Sequence, residues 1–197
     1  MGRKAQAREA ILSAARMLFW RKGYGAVGVD EICQAAGVNK GSLYHYHRDK
    51  TDLACAVIES NAAVLFENIA TNLAERAPAP RVLGYLDWMI AGQVSEGRDS
   101  GQFAGCPFGK LAAETAGQEP EIRAAVLAVF QKLIKFIAAA LRELDPARPS
   151  GEHRARAEEI FMSWQGALVL SQTRNSQQPL RRCRQATAAA LADYAPK

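Results

Sequence analysis

Residues 40 to 46 read Lys-Gly-Ser-Leu-Tyr-His-Tyr. Seven consecutive positions thus offer an ammonium at Lys40, a hydroxyl at Ser42, phenols at Tyr44 and Tyr46, and an imidazole at His45. Gly41 lets the backbone approach a partner closely. Wound into a helix, this segment leaves Leu43 alone to point inward. Burying so many polar groups without partners costs about 1–3 kcal/mol each, so the segment belongs on a surface. Its donors suit phosphate oxygens and base edges, the chemistry of nucleic-acid recognition.

Short helices must position this ridge. Ala7, Ile11, Leu12, Ala15, Leu18 and Phe19 fall at helical spacing, and Gly23 sits where that helix should end. Gly28 is a plain N-cap for a helix over residues 29–36, with Asp30 and Glu31 favouring its positive end. Gly37 supplies the left-handed residue that ends it. Asn39 caps the helix from Lys40 to Tyr46. Cys33, four before Gly37, is small enough for a steep helix crossing, over a little core of Ile32, Val38 and Leu43. Two helices joined by such a turn make a helix-turn-helix unit, whose second helix can enter the DNA major groove. Asp49 caps a fourth helix, with Asp52 at its N3 position; it runs to about residue 76, before Ala-Pro-Ala-Pro.

Residues 23 to 28, Gly-Tyr-Gly-Ala-Val-Gly, also match the dinucleotide-loop pattern Gly-x-Gly-x-x-Gly. That loop must follow a β-strand and open a helix. The segment before Gly23 has helical period instead, so these glycines join two helices and imply no nucleotide.

The remaining segments also read as helices: residues 81–96, 107–116 with proline first, 120–144, 152–174 and 178–194. The expected fold is all-α, with about nine helices, a DNA-binding head over residues 1–50 and a larger remainder over 51–197. The charge is uneven. Residues 1–55 hold nine Lys or Arg and five Asp or Glu, four of the five net positive charges. A basic module suggests a polyanionic partner, with nucleic acid leading; a solvated surface is the other explanation. Cys33, Cys55, Cys106 and Cys183 form no C-x-x-C pair, which suggests reduced thiols. His45 and His47 would lie on different faces of a helix, so no metal site is expected, and nothing calls for a cofactor. The N-terminus lacks the apolar centre of a signal peptide, and no uninterrupted apolar run reaches a membrane span. A cytoplasmic protein without a membrane partner is expected.

Over residues 7 to 58, and above all in VDEICQAAGVNKGSLYHYHRDKTDL, the chain resembles the N-terminal domain of the TetR family of bacterial transcriptional repressors. The resemblance implies a three-helix DNA-binding head, a helical ligand-binding body, and a homodimer on a near-palindromic DNA operator. It assigns Lys40, Gly41, Ser42, Tyr44 and His45 to bases. Tyr46 and Lys50 would meet phosphates, with Gly28 contributing through its backbone. Three positions depart from the family pattern. Gly28 stands where Ser or Thr is usual, Cys33 where Ala is frequent, and His47 where Phe is usual.

In the body, GCPFGKLAAE at 105–114 resembles a TetR-type subgroup in which Gly-Cys opens a short helix, and some members respond to reactive electrophiles. At a helix start the dipole would favour a Cys106 thiolate, with Lys110 one turn on. The plain alternative is an inert packed thiol. Trp88, Phe103, Phe108, Phe130, Met162 and Trp164 are candidates to line an effector cavity, and each also suits ordinary core. The resemblance pairs the last two helices into a dimer. Their stripe of Ile160, Phe161, Trp164, Ala167, Leu168 and Ser171 suits that or an intramolecular core. The expected function is a ligand-responsive repressor. The alternatives are a ligand-independent architectural or cell-cycle factor on the same scaffold, and a small helical enzyme. Against the last, no paired carboxylates or Ser-His-Asp set stand in plausible context.

Overall fold

The computed structural model describes residues 3–115 and 117–196. Among these the chain is all-α: α1 (Arg3–Lys22), α2 (Val29–Ala36), α3 (Lys40–Tyr46), α4 (Lys50–Asn68), α5 (Pro78–Ser100), α6 (Pro107–Thr115), α7 (Pro120–Leu144), α8 (Ser150–Arg174) and α9 (Gln178–Tyr194). A π-helical turn, Ile69–Leu73, continues α4. The expected end of α6 at Ala116 lies outside the described residues.

Two boundaries differ from the sequence expectation for one physical reason. Pro78 and Pro80 do not break the chain; they open α5, where a missing N–H removes no helical bond. Likewise α8 starts at Ser150, directly after Pro149. At its far end α5 runs to Ser100 and stops at Gly101, whose φ of 76° is left-handed.

The chain forms two compact units. The first comprises residues 1–64 with 107–128, so it reaches well past residue 50 and takes in α6 and the start of α7. Within it α1 packs on α2, α3 and α6. Its core holds Ile11, Ala15, Phe19, Ile32, Leu43, Leu53 and Ile58 from the first segment and Phe108, Leu111, Ile122 and Val126 from the later one. Val38 is only half-buried.

The second unit comprises residues 65–106 with 129–197, and α9 packs on both α5 and α8. Ile160, Phe161, Trp164, Ala167, Leu168 and Ser171 are all buried within it. That stripe of α8 is therefore intramolecular core. The opposite face carries Met162, Val169 and Leu170, which are 62%, 61% and 46% exposed. By length and composition α4 with its π turn, and α7, would each suit a membrane span. In α7, however, Ile122, Val126, Leu133, Ile137 and Leu141 are buried as a core face.

Candidate nucleic-acid interface

The α2–α3 turn is fixed by its caps. Gly37 adopts a φ of 64° and donates its N–H to Gln34 O at 3.2 Å, while Val38 N–H reaches Cys33 O at 3.0 Å. No atom lies within 4 Å of a Cβ built on Gly37, so the backbone angle, not space, requires glycine. Asn39 Oδ1 then accepts the Ser42 N–H at 2.8 Å and starts α3. Leu43 is fully buried and anchors α3, a burial worth about 1.5–3 kcal/mol.

With Leu43 fixed inward, its neighbours are turned out. Lys40, Gly41, Tyr44 and His45 are exposed, and Ser42 and Tyr46 are half-buried. The His45 and Tyr46 rings meet edge to face with centroids 4.9 Å apart. Gly28 is exposed and caps α2 through extended backbone (φ −91°, ψ 157°) without a side-chain bond. The predicted reading ridge thus forms one outward surface with its backbone cap.

Two cations of this surface are engaged. Lys40 Nζ lies 2.7 Å from Asp30 Oδ1, and that hydrogen bond raises the lysine's pKa. Lys50 Nζ donates to Val27 O at 2.9 Å and sits 4.1 Å from the centroid of the Tyr24 ring. Burial lowers its pKa. Lys50 therefore braces α4 against the α1–α2 loop in the free protein.

Beneath the ridge, α6 and the start of α7 hold the head from below. Lys110 Nζ donates to the carbonyls of Trp20 and Arg21 at 2.8 and 3.4 Å, satisfying the C-terminal end of α1. Glu114 Oε2 accepts the Gly25 N–H at 3.1 Å. Glu119 accepts from Thr51 Oγ1 at 3.0 Å and from Tyr24 OH at 3.3 Å. Burial, above all, raises the Tyr24 pKa. Sequence reasoning missed the bracing roles of Tyr24, Thr51, Glu114 and Glu119, since partners up to 95 residues apart leave no periodic signal. Lys110, one turn on from Cys106, has its ammonium engaged at the end of α1.

His47 does occupy a core position, with 3% exposure. Its Nδ1 lies 3.2 Å from Asp52 Oδ2, and its Nε2 is buried without a partner. Asp52 also accepts from Arg48 Nε, and its own N–H caps onto Asp49 Oδ1 at 2.8 Å. Desolvation would raise the Asp52 pKa, but the bonds from His47 and Arg48 and the Arg48 charge hold it below the usual carboxylate range.

The effector candidates are split between the units. Phe108 and Lys110 belong to the first; Trp88, Phe103, Cys106, Phe130, Met162 and Trp164 belong to the second. Met162 is 62% exposed and Trp88 36% exposed. Trp164 is buried with its Nε1 unpartnered, and Phe130 lies 5.0 Å from Phe161 between ring centroids. The Gly-Cys segment is held firmly. Buried Gln93 donates to Gly105 O at 2.9 Å and accepts the Gly105 N–H at 3.0 Å. Cys106 is half-buried beside that grip.

Comparison with known proteins agrees with this geometry. Residues 11–57 match the model of bacterial regulatory proteins of the tetR family, and residues 84–186 match the C-terminal domain of LmrA/YxaF-like transcriptional regulators. The transcriptional regulator AcuR of Cereibacter sphaeroides is 31% identical over 178 residues, covering 88% of this chain and 80% of that one. The crystal structure of a regulatory protein TetR from Rhodobacter sphaeroides superposes with a TM-score of 0.82 at 27% identity, over 93% of this chain and 97% of its own. The reduced form of the Escherichia coli repressor NemR gives 0.80 at 26% identity, over 92% and 94%. An outward reading helix behind a capped turn, matches to both family domains and full-length likeness converge: the chain belongs to the TetR family of DNA-binding transcription regulators.

Proposed function

We propose that this chain represses transcription as a homodimer on a near-palindromic operator and leaves DNA when a small molecule acts on its C-terminal part. The observation that carries the reading is the polar surface of α3 around the buried Leu43. Residues 1–50 read DNA in this scheme, and residues 51–197 bind effector and dimerise. Lys40, Gly41, Ser42, Tyr44 and His45 face base edges. Tyr46, Lys50 and the Gly28 backbone face phosphates, Lys50 after releasing Val27 O. The outward face of α8 (Met162, Val169, Leu170), with the small exposed Ala186 and Ala189 of α9, supports pairing of the last two helices. Effector binding acts by favouring a body conformation whose two heads no longer match grooves about 34 Å apart. The site of action is the cytoplasm, where the operator is.

For the effector itself, the half-buried Cys106 beside the Gln93–Gly105 clamp supports a reactive electrophile. Alkylation of the purified protein tests it. A Cys106→Ser variant released from DNA as readily as the parent excludes that sensor and leaves the thiol an inert packing group.

The main test is binding to duplex DNA flanking its own gene, measured by fluorescence anisotropy against salt. Replacing Lys40 or Tyr44 by Ala should relax sequence preference, whereas Tyr46→Ala or Lys50→Gln should weaken all duplexes alike. A uniform loss from both pairs overturns the assignment of roles. Effector-independent binding at many scattered sites would instead support an architectural factor.

A further inference from the structure

Asp30 is a carboxylate on the surface that meets DNA. It stands in the first turn of α2, its side chain 79% exposed, with Oδ1 2.7 Å from the ammonium of Lys40 at the first position of α3. A negative charge there repels the phosphate backbone, which supplies essentially all sequence-independent affinity. The neighbouring acid, Glu31, is paired on another side with Lys22. Among the described residues Asp30 pairs with one cation, and that cation belongs to the proposed reading ridge.

We propose that Asp30 is a specificity-determining residue, which holds the Lys40 ammonium across the α2–α3 turn and withholds it from indiscriminate phosphate contact. On a foreign sequence Lys40 stays with Asp30, and the pair adds no net charge to the encounter. On the cognate sequence a base edge with two acceptors, such as guanine O6 and N7, competes successfully for the ammonium, and only there does Lys40 contribute. An exposed ion pair suits this role because it is weak enough to exchange. The effect lies in the difference between right and wrong sites, achieved by a repulsive element against the wrong one. The inference rests on the DNA-binding reading above and deepens it.

The test compares the parent, Asp30→Asn, Asp30→Glu, Lys40→Gln and the double variant Asp30→Asn/Lys40→Gln. Each is titrated with a duplex of its own upstream region and with a random-sequence duplex of equal length. Asp30→Asn is expected to tighten random-sequence binding roughly threefold to tenfold and to steepen the slope of log affinity on log salt by about 0.9, one added phosphate contact. Cognate affinity should change less, so the specificity ratio falls. Asp30→Glu should keep the parent ratio. The double variant should lose the added slope, because no ammonium remains at position 40 to make the extra phosphate contact. Equal gains on both duplexes, no gain on either, or an added slope that survives in the double variant overturns the proposal while the DNA-binding reading stands. A parent protein that ignores both duplexes ends the reading and the proposal together.

Discussion

The Glu114 carboxylate accepts the Gly25 N–H at 3.1 Å, and the same group fills the space beside Gly23. A Cβ on Gly23 would lie 2.5 Å from Glu114 Oε1, and the φ of 91° there is strained for any L side chain. The flexible carboxylate can swing away from a new Cβ only by giving up its Gly25 bond, so strain and that loss together should make Gly23→Ala cost about 2–4 kcal/mol in urea unfolding. Glu114→Ala alone forfeits a charge-assisted bond of about 1.5–3 kcal/mol. In the double variant the clash is gone, and the combined loss should fall short of the sum. Simple additivity would mean that the two residues are not in contact.

Gly28 raises the opposite case. A Cβ there meets nothing within 4 Å, and its φ of −91° suits any residue. Gly28→Ser should therefore stabilise by a few tenths of a kcal/mol through a new cap. If the proposed phosphate role is right, the hydroxyl should also tighten every duplex alike. Improved stability with unchanged DNA affinity would remove position 28 from the interface.

His47 leaves one ring nitrogen buried and unbonded while the other reaches Asp52. Asp52 keeps Arg48 as a partner without it. Replacing the ring by an apolar one of similar size removes a desolvated donor or acceptor, worth about 1–3 kcal/mol, against one lost bond to a carboxylate of about 1.5–3 kcal/mol. The two nearly cancel, and His47→Phe should be neutral or stabilising by up to about 1 kcal/mol. A loss of that size instead would mean that the His47–Asp52 contact outweighs the cost of the unbonded nitrogen.

Acid should weaken the second unit through a named pair. Arg81 grips Glu143 with two bonds of 2.8 Å, and that hydrogen bonding, against some desolvation, holds the glutamate pKa below its ordinary value. A depressed carboxylate contributes stability above its unfolded pKa of about 4.3, and the contribution is lost as pH falls through the folded value. The urea midpoint should thus decline below about pH 5, and Glu143→Gln should flatten part of that decline. An identical pH profile for the variant would rule the pair out as a contributor.

What the sequence disclosed was local. The caps at Gly37, Asn39 and Asp49, and the inward Leu43, each follow from residues within a turn of one another, and they position the reading ridge. Helix starts at Pro78 and Ser150 were misplaced because proline reads as a breaker when it is also a good first residue. The α8 stripe around Trp164 and Ile160 was legible as apolar, but periodicity does not distinguish a core face from a dimer face. Glu114 and Glu119 were invisible, since nothing near them in the chain points to Gly25, Tyr24 or Thr51. The Asp30–Lys40 pair joins two helices across a turn whose angle only the fold supplies.

That ambiguity about α8 is open to a direct experiment. The buried stripe and the exposed one make opposite demands on a substitution. Met162, Val169 and Leu170 lie at spacings of seven and one, with the exposed Gly166 between them, so they share a face that the described residues leave exposed. If that face pairs two copies, Met162→Glu with Val169→Glu should leave the monomer folded, convert the dimer to monomer in light scattering, and abolish tight operator binding. Trp164→Ala should instead lower stability by about 3–5 kcal/mol, because it opens a cavity inside the unit. A doubly charged variant that remains dimeric would move the proposed interface away from this face of α8.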